Sequence, residues 1–298
     1  MKRFIDKLRG SQQALSQEIP TRPIPKENLE TISNSPHPRP EPPQLIVGCA
    51  QSTGVQRNNN EDALFTLTTT LTGDFRNTPF GLYIVADGMG GHQHGEIASG
   101  IAIRSMASYV IRKLYSPLLS LKPNLPEESL LEIMQAGVQD AHSAIIKQVP
   151  GGGTTLTAAL IVGNRMTIAH VGDSRAYLIG NNGKVEALTR DHSLVNRWVE
   201  LGQITLEEAA VHPHRNVLYR ALGQGEPFDP DINSIQIPDT GYLLICSDGL
   251  WSVVPEEEIQ AIVQKSKNPE QACQMLVEAA NAAGGPDNIT VILIRLHV

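Results

Sequence analysis

Six acidic residues fall at breaks in the chain beside apolar runs. They are Glu61 and Asp62 after Asn58-Asn59-Asn60, Asp87 before Gly88, Asp173 in Gly172-Asp173-Ser174, Asp248 in Ser247-Asp248-Gly249 and Asp287 in Pro286-Asp287-Asn288. Any one of them alone reads as a solvated turn residue. Several acids at strand ends can instead point into a cleft while their strands stay buried. Gathered there they repel one another, and a cation has to compensate them. Carboxylate, carbonyl and water ligands without a Cys or His cluster select Mg²⁺ or Mn²⁺ over Zn²⁺. The sharpest case is Val85-Ala86-Asp87-Gly88-Met89-Gly90-Gly91-His92. Leu82-Tyr83-Ile84-Val85 reads as a buried strand, because β-branched and aromatic residues suit a pleated core surface. Asp87 stands where that strand ends. The glycines after it permit a sharp turn and a close approach to the backbone.

The elements that must position these acids follow from periodicity. Strands are expected at Leu45–Ala50, Ala63–Leu67 and around Leu82, with a hairpin-like loop from Gly73 to Thr78. A helix over Glu96–Leu114 carries Ala98, Ile101, Ala102, Met106 and Tyr109 at helical spacing. A Pro-containing link leads to a second helix over Glu127–Gln148, and the short connection predicts an antiparallel pair. Gly151-Gly152-Gly153 then opens strands at Thr155–Val162, Arg165–Val171, Ala176–Ile179 and Lys184–Leu188, with turns at Asn164 and Asn181-Asn182-Gly183. Asp191 to Gln224 is polar and broken, and reads as an appended flap. Asp231–Ile237 and Tyr242–Cys246 read as a further hairpin pair. Pro255 followed by three glutamates starts one helix, Pro269–Ala283 is another, and Ile289–Leu296 is the last strand. Segregated helices and antiparallel strands indicate an α+β fold, with helices covering a two-sheet sandwich.

The 298 residues are 41% hydrophobic and 18% charged, which supplies a full core. A net charge of -7 and the lack of a basic stripe argue against nucleic acid as the main partner. Three scattered cysteines suggest neither a disulfide framework nor a zinc site and fit a reducing, cytoplasmic setting. No apolar stretch reaches the roughly 18 residues of a transmembrane segment, and the N-terminus lacks the apolar core of a signal peptide. Residues 1–43 hold eight of the twenty prolines, all between Pro20 and Pro43. This segment reads as an extended, disordered tail preceding a domain over 44–298.

Taken in order, Gly54-x-x-Arg57-x-x-Asn60-Glu61-Asp62, Asp87-Gly88-Met89-Gly90-Gly91-His92, Gly153-Thr154-Thr155, Gly172-Asp173-Ser174-Arg175, Ser247-Asp248-Gly249 and Asp287-Asn288 resemble the metal-dependent Ser/Thr protein phosphatase family, type 2C, in its bacterial form. The resemblance implies a four-layer α-β-β-α sandwich. It also implies that Asp87 bridges two Mn²⁺ or Mg²⁺ ions, with the Gly88 carbonyl on the second. Asp248 and Asp287 complete the first. Asp62, with Glu61 beside it, holds the second directly or through water, and Asp173 with Asp248 binds a third. Two divalent ions about 4 Å apart lower the pKa of a shared water, which attacks phosphorus in line.

Arg57, the one cation in the first motif, suits two phosphate oxygens; its alternative is a salt bridge to Glu61 or Asp62. Thr154 and Thr155 are candidates to hydrogen-bond the acids. Arg175 is expected to brace a loop rather than bind phosphate, and Arg190 and Arg220, which flank the flap, to serve surface solubility rather than steer a phosphopeptide. Cys246 reads as a buried strand residue and not a nucleophile. Eukaryotic members carry His after the Asp-Gly pair. Here Met89 stands there and cannot donate a proton, which leaves His92 or a water as the general acid. The implied substrates are phosphorylated proteins, the implied counterpart is a Ser/Thr kinase, and the chain is expected to act as a monomer. The competing expectation is a catalytically silent phosphoprotein-binding relative, though such relatives usually lose a metal acid and none is lost here.

Overall fold

A computed structural model of the chain describes residues 44–72, 78–90, 93–120, 126–225, 228–238 and 240–297. The tail expected over 1–43, positions 73–77 of the loop expected from Gly73 to Thr78, and His92 lie outside the described residues.

The fold is built around strand β3 (Thr78–Met89), which pairs with β2 (Asp62–Leu71) on one side and β5 (Leu156–Val162) on the other. Alternate side chains of a strand point to opposite faces, and β3 is apolar on both. Leu82, Ile84 and Ala86 enter one core, while Tyr83 and Val85 enter another. The first core lies under helices α1 (Gln93–Val110) and α3 (Leu130–Gln148). The second lies between two sheets, where Tyr83, Val85, Ala159 and Ile161 meet Leu243, Ile245, Ile292 and Ile294. A third core packs the far sheet against α7 (Glu256–Lys265) and α8 (Pro269–Ala282). Each fully buried Leu or Ile in these layers contributes about 1.5–3 kcal/mol through water exclusion.

One sheet runs β2-β3-β5-β6-β9, with β4 (Gly153–Thr154) on the end of β3; β6 is Arg165–Val171 and β9 is Asp231–Gln236. The other runs β1-β11-β10-β7-β8, with β1 at Ile46–Ser52, β7 at Arg175–Ile179, β8 at Val185–Ala187, β10 at Thr240–Cys246 and β11 at Ile289–His297. All pairings are antiparallel. The expected α-β-β-α sandwich is what forms.

Three expectations need correction. Asp231–Ile237 and Tyr242–Cys246 are not a hairpin: β9 pairs with β6 in one sheet and β10 lies between β7 and β11 in the other. The short link between them crosses the sandwich. Apolar alternation marks a strand but not the sheet that receives it. The second helix starts at Leu130, not Glu127, because Ser129 and Glu132 form a reciprocal capping box there. The first helix begins at Gln93, and beyond Val110 it continues through a π-helical turn, Ile111–Tyr115, into α2 (Ser116–Leu118).

Candidate active site

The strand ends bring the acids together. The β2–β3 register sets Asp62 directly opposite Asp87. The Asp87 backbone is clamped on both sides: its N–H donates to Thr155 Oγ1 (2.9 Å), and its carbonyl accepts from Thr155 N–H (2.9 Å) and Thr154 Oγ1 (2.8 Å). Thr154 and Thr155 therefore hold the acid by its main chain, not by its carboxylate. Asp248 opens the short helix α6 (Asp248–Trp251) at the end of β10, Asp287 lies two residues before β11, and Asp173 occupies the β6–β7 loop. Arg57, Glu61, Asp87, Gly88, Asp173, Asp248 and Asp287 all line one cleft of about 420 Å³. Asp62 lies behind its wall.

Burial dominates the electrostatics of these acids. It pushes Asp62 up to about 7, with the charges of Asp248 and Asp287 adding to it, while hydroxyl donors from Thr290 (2.6 Å) and Ser247 (2.8 Å) pull the other way. Burial, reinforced by the Asp287 charge, raises Asp248 to about 6, partly offset by a hydrogen bond with Asp87. Burial and then neighbouring acids hold Asp87 and Asp173 well above the ordinary carboxylate range.

The Oδ1 atoms of Asp62 and Asp248 are buried with no hydrogen-bond partner. Such atoms are costly unless something else satisfies them. The donor set is all oxygen, and a Cβ on Gly88 would run into the Gly95 and Glu61 carbonyl oxygens, so the backbone is closely held where a carbonyl would be needed. These observations fit hard divalent ions. Among the described residues no three carboxylate, thiol or imidazole groups close around a single point. The acids instead ring the cleft, and Arg57 lines it with them. Arg57 pairs with neither Glu61 nor Asp62; its Nη2 lies 2.6 Å from Asp287 Oδ2, and its side chain is 51% exposed.

Three polar residues that organise the ring carried little sequence signal. Asn288 is the keystone. Its Nδ2 donates to the Thr53 and Asn59 carbonyls (2.8 Å each), and its Oδ1 accepts from Glu61 N–H (2.8 Å). Asn288 thereby joins the first motif to the last. Ser247 and Thr290 share Asp62 Oδ2 across the sandwich. A threonine in a strand, or a serine just past the end of one, looks ordinary; only the Asn following Asp287 hinted at such a role.

Of the histidines, His94 is exposed and does not line the cleft. Met89 does line it, with its sulfur 3.5 Å from Gln224 Nε2. Arg175 is a brace, as expected: it donates to both Asp191 oxygens (2.9 and 2.7 Å) and stacks 3.6 Å over the Trp251 ring. Arg220 is more than a solubilising charge, since it pairs with Asp231 at 2.8 Å and meets His192 Nε2 at 3.2 Å.

The flap over 191–224 contains α4 (Leu194–Glu200) and α5 (Leu206–Ala210), capped by Ser193 and Thr205. Its two ends are tied to the sandwich. His192 N–H donates to the Gly172 carbonyl (2.7 Å) and its Nδ1 accepts from Gly172 N–H (3.1 Å), while Leu222 exchanges two backbone hydrogen bonds with Thr154.

Comparison with known proteins agrees with this architecture. A family model described as protein phosphatase 2C matches residues 49–289. The serine/threonine phosphatase stp of Listeria welshimeri is 36% identical over 223 residues, covering 73% of this chain and 85% of its own length. The crystal structure of the Mycobacterium tuberculosis serine/threonine phosphatase PstP/Ppp superposes with a TM-score of 0.68 at 34% identity, over 86% of this chain and 100% of that one. A catalytic domain of PstP solved in complex with two manganese ions superposes equally well, with a TM-score of 0.68 at 32% identity over 86% of this chain and 100% of that one. The chain belongs to the protein phosphatase 2C family of serine/threonine phosphatases, which are hydrolases.

Proposed function

We propose that the chain hydrolyses phosphoserine and phosphothreonine esters of proteins at this cleft. Asp87, the Gly88 carbonyl, Asp248, Asp287, Asp62 and Glu61 would hold two Mn²⁺ or Mg²⁺ ions, and Asp173 with Asp248 a third. The observation that carries this reading is the set of buried and half-buried acids around one cleft, two of them with orphaned oxygens. The manganese-bound PstP catalytic domain supports the choice of metal. When bound, paired divalent ions lower the pKa of a shared water and offset the charge of the phosphate.

The chain's own residues do the rest. Arg57 spends one donor on Asp287 and keeps the remainder of its fork for two phosphate oxygens, which orients phosphorus in the cleft. Asp62 has Oδ2 saturated by Ser247 and Thr290, so Oδ1 is left to accept a hydrogen from a water and fix its direction. Met89 carries no proton to give, so the leaving alcohol takes one from His92 or from water. We further read residues 44–298 as the catalytic domain, and the protein as a cytoplasmic monomer opposing a Ser/Thr kinase. Among the described residues no helix is long and apolar enough to cross a membrane.

The test is hydrolysis of phosphopeptides with and without chelator. Turnover should vanish in EDTA, return with Mn²⁺ and ignore thiol alkylation. Full turnover in excess chelator would overturn the reading.

A further inference from the structure

The loop that carries Asp173 is held by its main chain at three successive residues. The Gly172 carbonyl accepts from His192 N–H (2.7 Å), and the Ser174 carbonyl accepts from Thr157 Oγ1 (2.8 Å). Those two ties lead to the root of the flap and to β5. The third leads elsewhere: the Asp173 carbonyl accepts from the Trp251 indole Nε1–H (2.9 Å). Trp251 closes α6, the short helix that Asp248 opens. One helical turn therefore carries one acid at its start and a hydrogen bond to the other acid's backbone at its end. The turn is itself held, because Leu250 is fully buried and a Cβ on Gly249 would collide with the Asn288 carbonyl. The indole is aimed as well. Arg175 lies 3.6 Å over its ring, and that guanidinium is fixed by both Asp191 oxygens and by the Tyr177 hydroxyl (2.9 Å). Such a tie has a force to work against, since burial and then the Asp248 charge disfavour an ionised Asp173.

We propose that Trp251 is a positioning residue: its indole N–H ties Asp173 to the turn carrying Asp248 and so sets the affinity for the divalent ion those two acids share. The proposal rests on the three-ion reading above and adds to it the residue that presets the third site. In that reading the third ion draws on two carboxylates, fewer chain groups than the paired ions share. With so few ligands, affinity depends on their separation being fixed before the ion arrives. A hydrogen bond made or lost at a buried carbonyl corresponds to about five- to tenfold in a binding constant.

The experiment counts Mn²⁺ bound to the full chain from the electron paramagnetic resonance signal of the free ion, which does not depend on turnover. The wild type should bind two ions tightly and a third more weakly. Trp251→Phe keeps a ring beneath Arg175 and removes the donor. Its third dissociation constant should rise about five- to tenfold, with the other two within about twofold. Asp173→Asn should lose the third ion, and adding Trp251→Phe to it should then change neither remaining constant by more than about twofold. A second measurement stands even if Trp251→Phe fails to fold. The chain has two tryptophans, so a Trp198→Phe variant identifies the Trp251 indole N–H by NMR, and in a Mg²⁺ titration its shift should follow the weakest ion. Unchanged third-site binding in Trp251→Phe would overturn the proposal and leave the three-ion reading standing. So would all three constants rising together, or an indole shift that follows only the tighter ions. A wild type that binds two ions, or an Asp173→Asn variant that keeps three, would instead overturn the three-ion reading and the proposal with it.

Discussion

The acid cleft and the flap share Asp173's neighbourhood but are held by opposite means. Cleft residues are fixed by long-range hydrogen bonds between buried groups: Thr290 and Ser247 reach Asp62 from across the sandwich, and Asn288 bonds three separate backbone groups. The flap is fixed locally. Each of its helices carries its own side-chain cap, and only its two ends are bonded into the sheets. A web of buried polar groups gives rigidity at the cost of tolerance, since removing one member strands the others. Local caps leave an element free to open alone. The geometry of the charged ring therefore belongs to the global fold, while the shape of the surface beside it does not.

Asp87→Asn separates catalysis from folding most sharply. Removing one acid of the proposed ion-binding ring should lower turnover on the order of 10³-fold or more. The metal-free variant should melt no lower than the wild type, because a buried, repelled carboxylate is lost. A variant that loses activity only by unfolding would show that the ring is structural. Asn288→Ala tests the web itself. It leaves the Glu61 N–H and the Thr53 and Asn59 carbonyls without their partner, and should cost about 3 kcal/mol in urea unfolding. A loss under about 1 kcal/mol would show that the first motif holds its shape without the last.

Much of the cleft was legible because acids beside glycines at the ends of apolar runs are locally unusual. Asp87-Gly88 and Ser247-Asp248-Gly249 announce a strand end and a close approach within three residues. What holds them was not legible. Thr290 and Asp62 lie 228 positions apart, and nothing about a threonine in a strand says which acid it will meet. The hairpin wrongly expected between Asp231–Ile237 and Tyr242–Cys246 failed for the same reason: period-two alternation fixes the two faces of a strand, and the choice of sheet is made by distant partners. The layers came right because every helix stripe and strand face demanded its own apolar cover, and only the sandwich supplies it to all of them.

The flap's root gives a smaller, pH-dependent effect. Burial, with the neighbouring His192 adding to it, pushes His170 down to about 3, while its Nε2 donates to the Arg190 carbonyl and its Nδ1 accepts from Thr157. The unfolded chain protonates this histidine near 6.5 and the folded one does not, so stability is present above 6.5 and is lost as pH falls towards 3. Between pH 7 and 4.5 the loss should reach about 2–3 kcal/mol. Other groups titrate in the same window, so the measurement is the difference in urea midpoint between the two pH values, wild type against His170→Gln. The variant should show the shallower slope. Equal slopes would mean that the flap's root is wet.

The smallest effect is the one that decides whether the flap is a separate unit. Thr205→Ala removes the capping box at the start of α5, in which Thr205 Oγ1 accepts from Glu208 N–H and Glu208 returns the bond to Thr205 N–H. Losing such a cap costs about 1 kcal/mol. If the flap opens on its own, that cost falls on the local equilibrium: amide exchange over Leu206–Ala210 speeds about fivefold, the global urea midpoint stays put, and p-nitrophenyl phosphate turnover is unchanged. If instead the midpoint drops by the full amount, the flap unfolds only with the sheets, and its two ends at His192 and Leu222 are enough to make it part of the same cooperative block.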